Sequence, residues 1–169
     1  MTLLPSYDDF AQNWAMGRNQ LVYARIAADL DTPVSLMLKL GAAATDTFML
    51  ESVTGGEVRG RYSVVGLRPD LIWKCEGTQA FINRAAQSDA AAFTPQTTPP
   101  LDALRALLAE CRIDLPAGLP AISAGLFGYL GYDMIRLVEN LPDVNPDPIG
   151  LPDAVLLRPS VVAVLDGVK

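Results

Sequence analysis

Residues 154–165 form a long apolar run of β type, and this run constrains the fold more than any other feature. A strand of that length presents a row of backbone N–H and C=O groups that must find partners. Either it pairs with an earlier strand, or the chain is cut from a longer protein. The position of the run, close to Lys169, favours the cut. Residues 47–53, 61–65, 71–75 and 78–83 are short runs rich in β-branched or aromatic side chains and broken by Gly or Pro. Strands of that kind joined by short turns predict an antiparallel sheet.

Helical signals punctuate the same chain. Ser6 can cap a short helix with acids in its first turn and with Tyr7, Phe10 and Trp14 as one apolar stripe, and Gly17 stops it. Residues 20–27 alternate and predict a strand. Thr32 followed by Pro33 marks a second helix start, carried forward by Val34, Met37 and Leu40 and closed by Gly41. Residues 85–100, rich in Ala, Gln, Thr and Pro, predict an exposed excursion. Residues 101–112 predict an amphipathic helix with Leu101, Leu104, Leu107 and Leu108 on one face. Residues 140–152 hold Pro142, Pro146, Pro148 and Pro152 and predict irregular structure. The fold class is therefore α+β, an antiparallel sheet with helices packed on one side.

Composition removes several function classes. Half of the 169 residues are hydrophobic and 19% are charged, so the chain is no disordered tail. A net charge of −6 without a run of Lys or Arg argues against nucleic acid. There is no histidine, and Cys75 and Cys111 lack metal-site spacing, which speaks against zinc and against a His-based relay and predicts two reduced thiols. No signal peptide and no membrane-length apolar stretch is apparent, so a cytoplasmic protein away from membranes is expected.

The remaining motifs are modest. Residues 125–133, with Gly125, Gly128 and Gly131, match neither a P-loop nor GxGxxG, and close backbone packing explains the glycines best. Residues 55–61 are a glycine-and-charge turn, directly preceded by Glu51 and Ser52. That carboxylate and hydroxyl suit an ammonium or amide donor, and equally suit ordinary turn chemistry. No acid pair or acid spacing marks catalysis or a metal.

Certain pieces nevertheless resemble a known family. Residues 48–57 (FMLESVTGGE) and 59–66 (RGRYSVVG), together with residues 31–36, 125–133 and 145–153, resemble in order the N-terminal domain of anthranilate synthase component I. The resemblance implies that residues 1–169 are a truncated N-terminal regulatory domain, without the C-terminal chorismate-binding domain. The family's large subunit makes anthranilate from chorismate, with Mg²⁺ holding the substrate carboxylate in that C-terminal domain. Its ammonia comes from glutamine through a separate amidotransferase subunit, component II. On this resemblance the chain has no catalytic or metal residues of its own. It does carry one wall of the pocket where L-tryptophan inhibits: the family's Leu-Leu-Glu-Ser corner corresponds to residues 49–52, placing Glu51 and Ser52 in the site, and a basic residue at the next strand's start corresponds to Arg61. Met49 departs mildly from the family's leucine. Arg61 equally suits a solvated strand end or a pair with Glu57. Two alternatives accompany this reading: the related aminodeoxychorismate synthase component I, and a stand-alone amino-acid-binding module.

Overall fold

A computed structural model describes residues 2–41, 45–52, 60–142 and 146–167. Its elements are α1 (Tyr7–Ala15), α2 (Pro33–Leu40), β1 (Phe48–Leu50), β2 (Tyr62–Glu76), β3 (Gln79–Asn83), β4 (Thr94–Pro95), α3 (Pro100–Glu110), β5 (Phe127–Leu130) and β6 (Ala154–Asp166), with short 3₁₀ helices at Ala121–Ser123 and Tyr132–Leu137. The strands run in the order β4-β3-β2-β6-β5, with β1 on β2, and the registered pairs β1/β2, β2/β3, β3/β4 and β5/β6 are antiparallel. The α+β class is thus as expected. The run at 154–165 finds its partners inside the chain, in β5 and β2.

Two compact units divide the chain. The first comprises Met1–Arg68, Cys111–Gly125 and Val161–Lys169; the second comprises Pro69–Glu110 and Leu126–Ser160. In the first unit both early helices begin as their caps dictate. The Ser6 hydroxyl accepts from the Asp9 N–H, and Thr32 with Ser35 forms a reciprocal capping box ahead of Pro33. The α1 stripe stays exposed, with Tyr7 at 80% and Trp14 at 72%, although Phe10 and Trp14 stack at 6.1 Å. The strand expected at 20–27 is reduced to one bridge, Leu4 with Tyr23. Pro5 has no N–H and Ser6 already caps α1, so the pairing cannot extend beyond Leu4. Val64, Val65 and Leu67 of β2 are buried here, each contributing about 1.5–3 kcal/mol. The Phe48 ring lies over Gly66, its cross-strand partner, where any Cβ would collide with it.

The second unit is centred on Leu71, Trp73 and Cys75, all fully buried. The expected break between 61–65 and 71–75 does not occur: β2 is continuous, and Arg68 with φ +51 is a local irregularity within it. A two-residue turn, Gly77-Thr78, leads into β3. Residues 85–100 are mostly exposed, as expected, but include β4 and are anchored by Asn83, whose amide donates to Asp89 O (2.8 Å) and whose carbonyl accepts from Ala85 N (2.8 Å). Helix α3 buries Pro100, Ala103 and Leu107 and leaves Leu108 more than half exposed, which corrects the expected leucine face by a rotation toward Ala103. The small Ala103 lets the helix approach the sheet, and the Arg84 fork on Glu110 (2.6 and 2.6 Å) holds the C-terminal turn.

Candidate functional site

Strand β1 pairs Leu50 with Val64 of β2, and Glu51 and Ser52 continue the chain from there. Glu51 is exposed and Ser52 half-buried. The Ser52 N–H donates to Ser63 Oγ at 3.3 Å, and Ser63 is itself buried. Two residues before Ser63 stands Arg61. Its Nε and Nη2 donate side-on to the two carboxylate oxygens of Asp166, at 2.7 and 2.6 Å, and its Cζ lies 5.0 Å from the Tyr62 ring centre. The Arg61 carbonyl also accepts from Gly167 N at 2.9 Å. Both partners of the ion pair keep about a quarter of their side-chain surface, so water screens the pair only in part.

The structure thus brings Ser52 against Ser63 and fixes Arg61 to Asp166, while Glu51 is exposed. Arg61 is not a solvated strand end. Glu57, the other partner considered for it, lies outside the described residues, as do 53–59. Sequence reasoning missed Ser63 and Asp166. Ser63 was within reach, since it alternates with Arg61 along one strand; Asp166 follows a long apolar run, and nothing local ties it to a residue so far upstream.

The other motifs have structural explanations. At Gly128 a Cβ would stand 1.9 Å from Val155 O, and at Gly131 2.8 Å from Asp153 O, so these two glycines serve close backbone packing as expected, whereas Gly125 has open space around it and a φ of +146 that favours glycine. Neither Cys75 nor Cys111 is in a disulfide. Among the described residues no three His, Cys, Asp or Glu side chains converge as a metal site, and no helix is long and apolar enough to cross a membrane. An open groove of about 450 Å³ is lined by Thr78, Gln79, Thr97, Thr98 and Arg136. Its arginine is engaged by Asp133 (2.7 Å) and by the carbonyls of Leu141 and Pro142.

No family model matches the chain. Individual relatives do. The chain is 70% identical over 166 residues to anthranilate synthase component 1 of Cereibacter sphaeroides, covering 98% of this chain and 33% of that protein. It is 36% identical over 162 residues to the protein of the same name from Mycolicibacterium smegmatis, covering 95% and 30%. The crystal structure of anthranilate synthase component I from Streptococcus pneumoniae TIGR4 aligns with a TM-score of 0.51 at 24% identity, over 85% of this chain and 29% of that one, a likeness of fold. The chain therefore spans about a third of the length of the curated relatives it matches. Over nearly all of its own length, it is homologous to one part of anthranilate synthase component 1.

Proposed function

We propose that this chain is the N-terminal, feedback-regulatory part of an anthranilate synthase component 1, and that Glu51, Ser52 and Arg61 form the wall that senses L-tryptophan. The full protein would make anthranilate from chorismate, with ammonia delivered from glutamine by a component II amidotransferase. The observation that carries the reading is the 70% identity over 98% of the chain to a protein of that name. The Ser52–Ser63 link supports the regulatory half, because it pins a polar corner beside a buried hydroxyl. A corner that presents a carboxylate and a hydroxyl suits the ammonium of a free amino acid. The Mg²⁺ that the resemblance implies does not fit the described residues, which bring no three ligating side chains together. The placing of the Mg²⁺ site and of the chemistry in the family's C-terminal domain is what the resemblance implies.

The test uses the full-length enzyme. A bulky Ser52→Phe overfills a snug pocket, at a typical overpacking cost of about 1–3 kcal/mol. Tryptophan should then inhibit about 5- to 150-fold more weakly while anthranilate is still formed. Inhibition at the wild-type tryptophan concentration would remove Ser52 from the pocket, as would loss of activity without resistance.

A further inference from the structure

We infer that Arg61 serves the tryptophan corner as a positioning residue locked by Asp166, and does not receive the carboxylate of the amino acid. The inference rests on the proposed reading of Glu51 and Ser52 as that corner, and it revises the part assigned to Arg61. The side-on edge of a guanidinium, Nε with one Nη, is a preferred edge for bidentate capture of a carboxylate. In Arg61 that edge is already filled by Asp166, at 2.7 and 2.6 Å. The aspartate also neutralises the charge that would attract a second anion, in a half-buried setting where attraction matters more than it does in open water. Tyr62 lies against the guanidinium.

The same residue is fastened a second time through its backbone, by Gly167 N on Arg61 O at 2.9 Å. Asp166 and Gly167 therefore hold the first residues of β2 at both side chain and main chain. Two positions along, Ser63 Oγ accepts the Ser52 N–H. Asp166 thus holds Arg61 by an ion pair, the backbone carries on from Arg61 to Ser63, and Ser63 holds Ser52, the residue proposed to touch the ligand. Loosening Asp166 releases Arg61, shifts Ser63 and unseats Ser52.

The two roles for Arg61 predict opposite signs. For a strut, Asp166→Asn weakens tryptophan inhibition of the full-length enzyme about 3- to 10-fold, and Arg61→Gln does so to a similar extent. The double variant is no worse than the weaker single, because both changes break one link. For a carboxylate receptor, Asp166→Asn uncovers Arg61 and strengthens inhibition. Unchanged or stronger inhibition in Asp166→Asn overturns the inference. The exchanged pair, Arg61→Asp with Asp166→Arg, guards against a variant that simply fails to fold. A strut recovers at least half of the lost inhibition on exchange. A receptor recovers none, since an aspartate at 61 repels the ligand's carboxylate, and absence of recovery therefore also overturns the inference. Inhibition is normalised to each variant's own uninhibited rate. Wild-type inhibition in Ser52→Phe, by contrast, retires the corner itself and this inference with it, so the two failures are told apart.

Discussion

Neither Cys75 nor Cys111 is in a disulfide, yet their surroundings differ. Cys75 is fully buried in β2, with Sγ 3.4 Å from Gly77 O. Burial first, then the nearby Asp153 and Glu76 carboxylates, push its thiol up to about 11. The thiolate is the reactive form, so at pH 8 Cys75 should react with a disulfide reagent at least about a hundredfold more slowly than an ordinary thiol. Half-buried Cys111 should label first, and Cys75 only on unfolding; a count of two fast thiols in native protein would contradict this. The raised value also carries a sign. The folded chain keeps a proton that the unfolded chain loses above about pH 9, so stability is intact below that pH and declines as pH rises toward 11. The decline amounts to on the order of 2–3 kcal/mol and should be missing in Cys75→Ala, whose neutral-pH stability is lower from the start. At this scale sequence reading was sound where the reason was local. It assigned close packing to the glycines of 125–133, and Gly128 and Gly131 do sit against Val155 O and Asp153 O. It did not find Asp166 for Arg61, because their contact depends on two strands meeting.

The elements divide along the same line. Helix α2 is specified within a few residues: the Thr32 hydroxyl accepts from Ser35 N at 3.0 Å, Ser35 Oγ accepts from Thr32 N at 2.9 Å, and Pro33 supplies the first turn. Thr32→Ala should cost about 1 kcal/mol, seen as a lower urea midpoint with the slope unchanged, and Thr32→Ser should restore it. Strands were harder to read because their signals are conditional on neighbours. The residues of 20–27 alternate like a strand, but the partner segment offers only Leu4 before Pro5 intervenes. Gly66 and Pro69 look like breakers, yet β2 runs through both, since the Phe48 ring occupies the space that Gly66 leaves. Helix α3 was placed to within two residues, and of its expected leucine face Leu107 is buried and Leu101 and Leu104 half-buried, while Leu108 is exposed. Leucines marked the apolar side, and the packed side is the one whose small Ala103 permits close approach. Of the candidate corner, Glu51 and Ser52 were legible only through their neighbours in a familiar pattern. Their local chemistry suits a plain turn equally well.

For the whole molecule, the proposed reading of Glu51 and Ser52 as one wall of a pocket has a direct consequence for this chain by itself. A ligand pocket normally buries most of its ligand, and immobilisation still carries its cost when half the indole stays in water. Residues 1–169 alone should therefore bind tryptophan with a dissociation constant on the order of a millimolar or weaker, and should form no anthranilate from chorismate, ammonia and Mg²⁺. Micromolar binding by calorimetry would favour a self-contained binding module, and fluorescence of anthranilate above a blank would place chemistry in this chain. The two units are interleaved along the sequence: the first gathers Met1–Arg68, Cys111–Gly125 and Val161–Lys169, while the second takes the intervening stretches. On a ribosome the chain appears in order, and Arg61 emerges 105 residues ahead of Asp166. At about 5–20 residues per second that interval lasts roughly 5–20 s. Throughout it β2 lacks β6, its neighbour in the finished sheet. Slowing synthesis between codons 68 and 160 should therefore lengthen the exposure of the nascent first unit to proteases.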